Sequence, residues 1–208
     1  GRQFWWEVRY PDLGVVTANE IHVPVGETVL VRLSSVDVIH SFWVPQLAGK
    51  LDMTPGHTTE LRFRATNPGV YRGQCAEFCG IQHARMAFLV VADTPSDFQA
   101  WAAAMREPAT ESGRESDATR GLAVFMSHAC QACHAIDGTP ADGRAGPDLT
   151  HLMDRRWIAA GTLPNTPENL VAFITEAQEI KRGSSMPSFP ELQGRALDDL
   201  IAYLSQLR

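Results

Sequence analysis

One segment decides the first fold of this chain: Cys75-Ala-Glu77-Phe-Cys79-Gly-Ile-Gln-His83-Ala-Arg-Met86. It places two thiols, an imidazole and a thioether in one short loop, and such soft donors select copper over hard cations. The spacing brings the two thiolates close enough to bridge a pair of metals. A disulfide between the two cysteines would explain neither the histidine nor the methionine. The segment therefore predicts a dinuclear copper site.

A second imidazole must come from elsewhere in the chain, and His40 is the candidate. It lies in Asp37-Val-Ile-His40-Ser-Phe-Trp-Val-Pro45, just past a predicted strand. Taken alone, His40 is more typical of a core or surface histidine, and Met86 of a core residue at the start of a strand. Because two cysteines are also present, His40 and Met86 are both favoured as ligands.

The other two cysteines stand in Cys130-Gln-Ala-Cys133-His134, the attachment pattern of a c-type haem. The two thiols bind the vinyl groups, and the adjacent imidazole of His134 binds the iron. The segment Gly146-Pro147-Asp148-Leu149 resembles the loop that packs beside this imidazole and orients it. Covalent haem attachment occurs outside the bacterial cytoplasm. We therefore expect the chain on the outer, periplasmic or extracellular, face of the cytoplasmic membrane.

The sixth ligand of the haem is predicted to be Met186, in a loop before the last helix. Met153 and His151 are alternatives, and each is also explained by ordinary packing or exposure. A His/Met pair favours reduced iron and a high potential. Arg155 and Arg156 either neutralise the haem propionates or form a solvated charge pair.

The bulk composition is that of an ordinary globular protein, with 44% hydrophobic and 20% charged residues in 208. The net charge of -6 argues against nucleic-acid binding, which favours basic surfaces. No run of about 18 apolar residues is present to span a bilayer. The aromatic-rich start, Gln3 to Tyr10, leads us to expect that the chain was cut from a longer one.

The pattern of the first part of the chain, to about Val91, is that of a β-sandwich. Short apolar or alternating runs predict strands at Thr28–Leu33 and Glu60–Ala65, with a buried closing strand at Met86–Val91. Pro-Gly and Asn-Pro-Gly turn signals separate them. The period then changes to that of helices, predicted at four places: Ser96–Arg106 with a serine or aspartate cap, Thr119–Ala129, Pro167–Glu179 and Leu192–Leu207.

The change from a strand-like to a helix-like hydrophobic period divides the chain into three segments. Residues 1–95 form the copper domain, residues 96–117 a short helix and linker, and residues 118–208 the haem domain. The stretch Glu107–Asp117 is charged and rich in small residues, as is typical of a linker.

The first domain closely resembles the dinuclear copper (CuA) domain of cytochrome c oxidase subunit II. The match runs through Gln3-Phe4-Trp5-Trp6, Asp37–Pro45, Pro55-Gly56, Pro68–Tyr71 and Gly73–Met86. The resemblance implies CuA ligation by the side chains of His40, Cys75, Cys79, His83 and Met86, and by the backbone carbonyl of Glu77. It also implies that the Glu77 carboxylate faces subunit I and helps hold magnesium, only in the intact oxidase. Phe4 departs from the family, which usually has a tryptophan there that is associated with electron uptake from cytochrome c. This change fits another route of electron uptake, or a simple exchange between aromatic residues.

The order of copper domain, linker and cytochrome c resembles the fused subunit II of caa-type haem-copper oxidases. It implies an all-β cupredoxin-like sandwich followed by an all-α class I cytochrome c domain. Electrons would pass from an external donor through haem c and CuA to haem a of subunit I, where oxygen reduction and proton pumping occur. The donor would be a cytochrome c, another small redox protein or a quinol-oxidising complex, and an N-terminal transmembrane hairpin would anchor the intact subunit. The fragment alone would carry electrons without reducing oxygen.

Two other functions remain open: a copper-delivery protein and another CuA-containing redox protein of the nitric oxide reductase type. A delivery protein needs an open, exchangeable site, whereas the donor set here indicates a closed one. Copper stoichiometry separates these readings, since a CuA centre holds two copper ions and a delivery site one labile cuprous ion.

Overall fold

The computed structural model describes residues 1–109 and 115–208, without the side chains of residues 115–118. It divides into two compact units, one of residues 1–104 with 159–162 and the other of residues 105–158 with 163–208. Each unit has its own hydrophobic core. The predicted division at residues 95 and 118 stays a prediction, and residues 110–114 of the predicted linker lie outside the described residues.

The first unit is built from strands. They are β1 (Glu7–Tyr10), β2 (Val15–Ala18), β3 (Glu20–Pro24), β4 (Val29–Leu33), β5 (His40–Trp43), β6 (Leu51–Met53), β7 (Thr59–Phe63), β8 (Gly69–Cys75) and β9 (Ala87–Asp93). Five of them form one sheet in the order β3-β9-β8-β5-β6, in which only the β3–β9 pair among the described strands is parallel. β4 pairs with β7, and β1 with β2.

The predicted alternation of β7 decides which of its side chains enter the core. Phe63 is buried, whereas Glu60 and Arg62 are exposed, because successive residues of a strand point to opposite faces. Phe63 joins Phe42 of β5 and Phe88 of β9 in one core, so the β4–β7 pair covers the five-stranded sheet. The predicted sandwich and its buried closing strand are both confirmed.

The helix that follows, α1 (Pro95–Ala104), is shorter than the predicted one and has a different cap. The Thr94 hydroxyl, rather than a serine or aspartate, accepts the backbone N–H of Asp97 at 3.3 Å. Trp101 stacks on the ring of His22 in β3, with 4.3 Å between the centroids. The helix is therefore part of the first unit and packs against β3.

The second unit is mainly helical. It contains α2 (Glu115–Ser127), β10 (Trp157–Ile158), β11 (Leu163–Pro164), α3 (Pro167–Thr175), α4 (Ala177–Ile180) and α5 (Gly194–Leu204). The single helix predicted over Pro167–Glu179 is wrong, since Glu176 leaves the helical conformation at φ -128°, ψ 31°. The Thr175 hydroxyl bonds to the carbonyl of Val171 at 2.9 Å, a contact typical of a bent or ending helix.

A close crossing of α2 and α5 organises this unit. A Cβ atom on Gly121 would overlap the Asp199 carbonyl oxygen and the Tyr203 Cβ atom, so only glycine allows the helices to approach this far. Arg120 donates two hydrogen bonds of 3.0 Å to the Asp199 carboxylate across the same crossing. The crossing fixes α2, whose end leads directly into Cys130. Within the described residues, no helix has the length and apolar content needed to cross a membrane.

Candidate copper centre and haem-attachment site

The two cysteines of the first unit lie side by side as free, buried thiols, with 3.8 Å between their sulfur atoms. Each sulfur has an imidazole beside it. His40 Nδ1 lies 3.7 Å from Cys75 Sγ, and His83 Nδ1 lies 3.7 Å from Cys79 Sγ. Both cysteines are free, so they do not form the disulfide that was the alternative to a metal site.

Two further donors complete the cluster. The backbone carbonyl of Glu77 lies 3.2 Å from Cys75 Sγ, and the Met86 thioether lies 3.7 Å from Cys79 Sγ. Each thiol is thus accompanied by one imidazole and one weaker donor. A paired set of thiolate, imidazole and thioether donors fits two copper ions, and it fits a hard cation poorly. The structure brings together all six groups that the sequence nominated.

The strand register explains how a histidine far along the chain reaches the loop. Phe42 of β5 pairs with Cys75 at the end of β8. The Ala76 N–H donates to the Ser41 carbonyl at 3.0 Å, and the Cys75 N–H to the Met86 carbonyl at 2.9 Å. These backbone bonds hold the His40 strand, the cysteine loop and the start of β9 against one another.

The thiol pair shares one proton. The hydrogen bond between the two thiols lowers the pKa of Cys75 to about 3. The same bond, followed by burial, raises the pKa of Cys79. The first proton therefore leaves the pair readily and the second is retained, so a metal that binds both sulfurs must displace it.

Asp37 orients His40, a role that the sequence analysis did not assign. The Nε2 atom of His40 donates to Asp37 Oδ1 at 2.8 Å, which leaves Nδ1 towards Cys75. The Gln3 N–H donates to Oδ2 at 2.7 Å. Although burial opposes it, these bonds lower the pKa of Asp37 and keep it anionic. An aspartate three residues before a candidate ligand was the available signal.

In the second unit, His134 is held in the tautomer that a haem iron requires. Its Nδ1–H donates to the Pro147 carbonyl at 2.7 Å, so that Nε2 keeps its lone pair. Burial lowers the pKa of His134, which favours the neutral ring. Cys130 and Cys133 are free and lie in and at the end of a 3-10 turn. These residues fit covalent haem c with His134 as a ligand.

The glycine-containing loop packs beside His134, as the sequence predicted. A Cβ atom on Gly146 would stand 2.6 Å from the Cε1 atom of the ring. A Cβ on Gly143 would overlap the Gln131 carbonyl of the attachment motif. Both positions require glycine because the chain lies directly against the haem-binding segment.

The identity of the sixth haem ligand stays a prediction. Met186 and Met153 are both half-buried against the core of the second unit. His151 is 4% exposed, and its Nε2 has no hydrogen-bond partner within the described residues. Arg155 is buried and donates to the Asp148 carbonyl, which excludes a solvated role for it, whereas Arg156 is exposed.

Comparison with known proteins identifies both units. A family model of the periplasmic domain of cytochrome c oxidase subunit II matches residues 14–93, and a cytochrome c model matches residues 118–208. The periplasmic domain of subunit II from Bradyrhizobium japonicum, a crystal structure, has a TM-score of 0.50 and 30% identity; the match covers 51% of this chain and 88% of that one. This chain belongs to the cytochrome c oxidase subunit II family.

Curated members of the subunit II family match along the whole chain. Cytochrome c oxidase subunit 2 of Alkalihalophilus pseudofirmus is 41% identical over 208 residues, which are 100% of this chain and 60% of that protein. The Bacillus subtilis protein is 35% identical over 218 residues, covering 99% of this chain and 60% of that protein. The chain thus spans about 60% of the length of these relatives. The cupredoxin-like and cytochrome c folds expected from the sequence are confirmed.

Phe4 of this subunit II chain is buried in the core that includes Cys79. Its ring lies 3.1 Å from the Cβ position of Gly80, so an aromatic residue here packs on the cysteine loop. The Gln3 amide donates to the Cys79 carbonyl at 2.6 Å. The aromatic segment therefore supports the loop, and its part in electron uptake stays a prediction.

We expect the Asp37→Asn variant of this subunit II chain to bind copper roughly 10–100-fold more weakly, as is typical when the residue that orients a metal-binding histidine is changed. His40 and Gln3 donate to different oxygens of Asp37, and asparagine replaces one of these oxygens by an NH2 group that only donates, so one of the two bonds is lost. Competition with a copper chelator measures the affinity. Asp52→Asn, at an exposed carboxylate on β6, is the control. Equal affinities in the two variants would contradict the role of Asp37.

Proposed function

We propose that this chain is the extramembrane part of a caa-type oxidase subunit II, and that it carries electrons between an external donor and subunit I. Its haem domain accepts them and its copper domain delivers them. Oxygen reduction and proton pumping belong to subunit I, so the intact oxidase is the enzyme and this chain alone is a carrier.

One observation carries this proposal: a closed cluster of six copper-type donors and a haem-attachment motif occur in the same chain. His40 and Met86 are completely buried at the cluster. A copper-delivery protein needs ligands that open to an incoming partner. The burial of these two side chains therefore favours a permanent centre over delivery.

We assign the copper ligands as the sequence nominated them. They are the side chains of His40, Cys75, Cys79, His83 and Met86 and the carbonyl of Glu77. Cys130 and Cys133 would hold the haem covalently, and the side chains of His134 and Met186 would bind its iron. Bound copper and haem supply reversible one-electron exchange. The protein holds the donors in place through backbone bonds and burial, so that little rearrangement accompanies a change in charge.

The partners follow from the same assignment. Subunit I receives the electrons, and the donor is a cytochrome c, another small redox protein or a quinol-oxidising complex. The Glu77 carboxylate helps hold magnesium only when subunit I is present. A membrane anchor outside residues 1–208 places the chain on the outer face of the bacterial cytoplasmic membrane. The match to a periplasmic-domain family supports this location.

Metal analysis of the purified chain tests the proposed function. We expect two copper ions and one covalent haem per chain, with the paramagnetic spectrum of an electron shared between two coppers. Ascorbate-reduced haem should be reoxidised by the oxidised copper centre within the same chain. One labile cuprous ion without that spectrum would instead support copper delivery.

Replacement of Met186 tests the haem ligand. We expect Met186→Ala to abolish the weak red-end absorption band that reports an iron–thioether bond, and to lower the midpoint potential, since a thioether favours reduced iron. Met153→Ala is the matched control, because both side chains are half-buried on the same core. Loss of the band in the Met153 variant alone would transfer the ligand to Met153.

A further inference from the structure

Three backbone groups of the loop that carries Met186 bond to one side chain, that of Gln178 in α4. Its amide nitrogen donates to the Met186 carbonyl at 2.6 Å and to the Ser184 carbonyl at 2.9 Å. Its amide oxygen accepts the Gly183 N–H at 2.9 Å. A single side chain thus bonds to the backbone at three points over four residues of the loop.

The base of this side chain is fixed. Ala177, its neighbour in α4, is completely buried. The backbone N–H of Gln178 donates to the Ser188 hydroxyl at 2.9 Å. The Phe189 N–H donates to the Ile174 carbonyl at 3.0 Å, which ties the far end of the loop to α3. Gln178 therefore links a rigid helical turn to the loop on both sides of Met186.

Besides these bonds, the Ser184 N–H donates to the Lys181 carbonyl at 3.1 Å, and Met186 packs partly buried on the core of the second unit. Gly183, Ser184 and Ser185 bring small side chains to the segment before Met186. Gly183 adopts a left-handed conformation at φ +79°. Proline at position 187 has no N–H to donate. Among the described bonds of this segment, the amide of Gln178 is the group that contacts the backbone of Met186 itself, through its carbonyl.

We propose that Gln178 is a positioning residue that holds Met186 ready to bind the haem iron. This inference rests on the proposed function, in which Met186 is the axial ligand. A thioether is a weak ligand, and preorganising a weak ligand removes the entropy loss that otherwise opposes its binding. Gln178 touches neither iron nor thioether in this role; it acts through the backbone on either side of the ligand.

Only an amide satisfies this geometry, because it donates to two carbonyls and accepts from an N–H at once. Gln178→Leu keeps most of the volume and removes all three bonds to the loop backbone, together with the 3.4 Å bond to the Ser184 hydroxyl. Gln178→Glu keeps the acceptor for Gly183 and turns an anionic oxygen towards the Met186 and Ser184 carbonyls. The two variants separate lost volume from lost donation.

Imidazole binding to the ferric, haem-loaded chain measures how firmly Met186 holds the sixth position. Free imidazole competes with the thioether, so a loosened loop lets it bind more tightly. We expect Gln178→Leu and Gln178→Glu to tighten the apparent imidazole affinity roughly tenfold. The red-end iron–thioether band should weaken in parallel, while covalent haem content and cooperative thermal unfolding persist.

Gln193→Leu is the matched control, because the Gln193 amide also donates to a loop carbonyl, that of Pro190 at 2.8 Å, without touching the Met186 segment. An unchanged imidazole affinity in both Gln178 variants would overturn the inference. An equal change in the Gln193 variant would also overturn it, since that result indicates general loosening. If the unsubstituted protein lacks the thioether band, the assignment of Met186 fails first, which separates the two failures.

Discussion

Replacement of Cys79 by serine is expected to remove the dinuclear copper centre and to leave the covalent haem in place. The Cys79 sulfur lies 3.8 Å from Cys75 Sγ, 3.7 Å from His83 Nδ1 and 3.7 Å from Met86 Sδ, so it joins three of the other donors. A serine hydroxyl is a harder and less acidic donor, and it does not replace a bridging thiolate for copper. Copper content should fall from two ions to one or none per chain, with loss of the shared-electron paramagnetic signal.

Cys133→Ser is the matched control for this experiment, since it changes a thiol of the other unit. It removes one of the two haem attachment points and should leave the copper content and signal unchanged. Retention of two coppers and of the shared-electron signal in Cys79→Ser would show that this sulfur is not needed to hold the metals. The full chain serves for both variants because each centre has its own spectrum.

Gly121→Ala is expected to destabilise the haem domain by about 3 kcal/mol. The added Cβ overlaps the Asp199 carbonyl oxygen and the Tyr203 Cβ, and backbone cannot rotate away as a flexible side chain does. For a domain of this size, the loss corresponds to a fall of roughly 12 °C or more in the melting temperature. Thermal unfolding followed at the haem absorption reports on this domain.

The sign of the Gly121 result discriminates between local and tertiary effects. Helix propensity alone predicts that alanine stabilises a helix by about 1 kcal/mol relative to glycine. Ala123→Val, at an exposed position of the same helix, adds more volume and should cost less than about 1 kcal/mol. A more stable Gly121→Ala protein would contradict the close α2–α5 crossing.

Local patterns were enough to predict the fold class of each part of the chain, three of the strands (β4, β7 and β9) and the helices α1, α2 and α5. The alternation in β7 placed Phe63 inwards and Arg62 outwards, as observed. Predictions failed where a neighbour in space decides the outcome. The break at Glu176 splits a helix whose apolar spacing continues across it. The Thr94 cap depends on which of several hydroxyl and carboxylate groups finds the helix N–H.

The candidate site shows the same division. The cysteine loop and the haem motif place their donors within a few residues of one another. The type of metal or cofactor that each would bind could therefore be predicted before the fold was known. The role of Asp37 depends on its contact with the ring of His40, and that of Gln178 on a loop folded back over α4. Neither side chain carries a motif.

The sequence by itself determined the two fold classes and predicted the two centres, because hydrophobic period and the spacing of the cysteine and haem motifs are local properties. The tertiary structure decided which nitrogen of each histidine faces its centre, how closely α2 approaches α5, and which side chains hold the ligands still. These depend on contacts between residues far apart in the chain, such as His40 with Cys75. Such contacts form only when the chain folds, so a local sequence pattern does not show them.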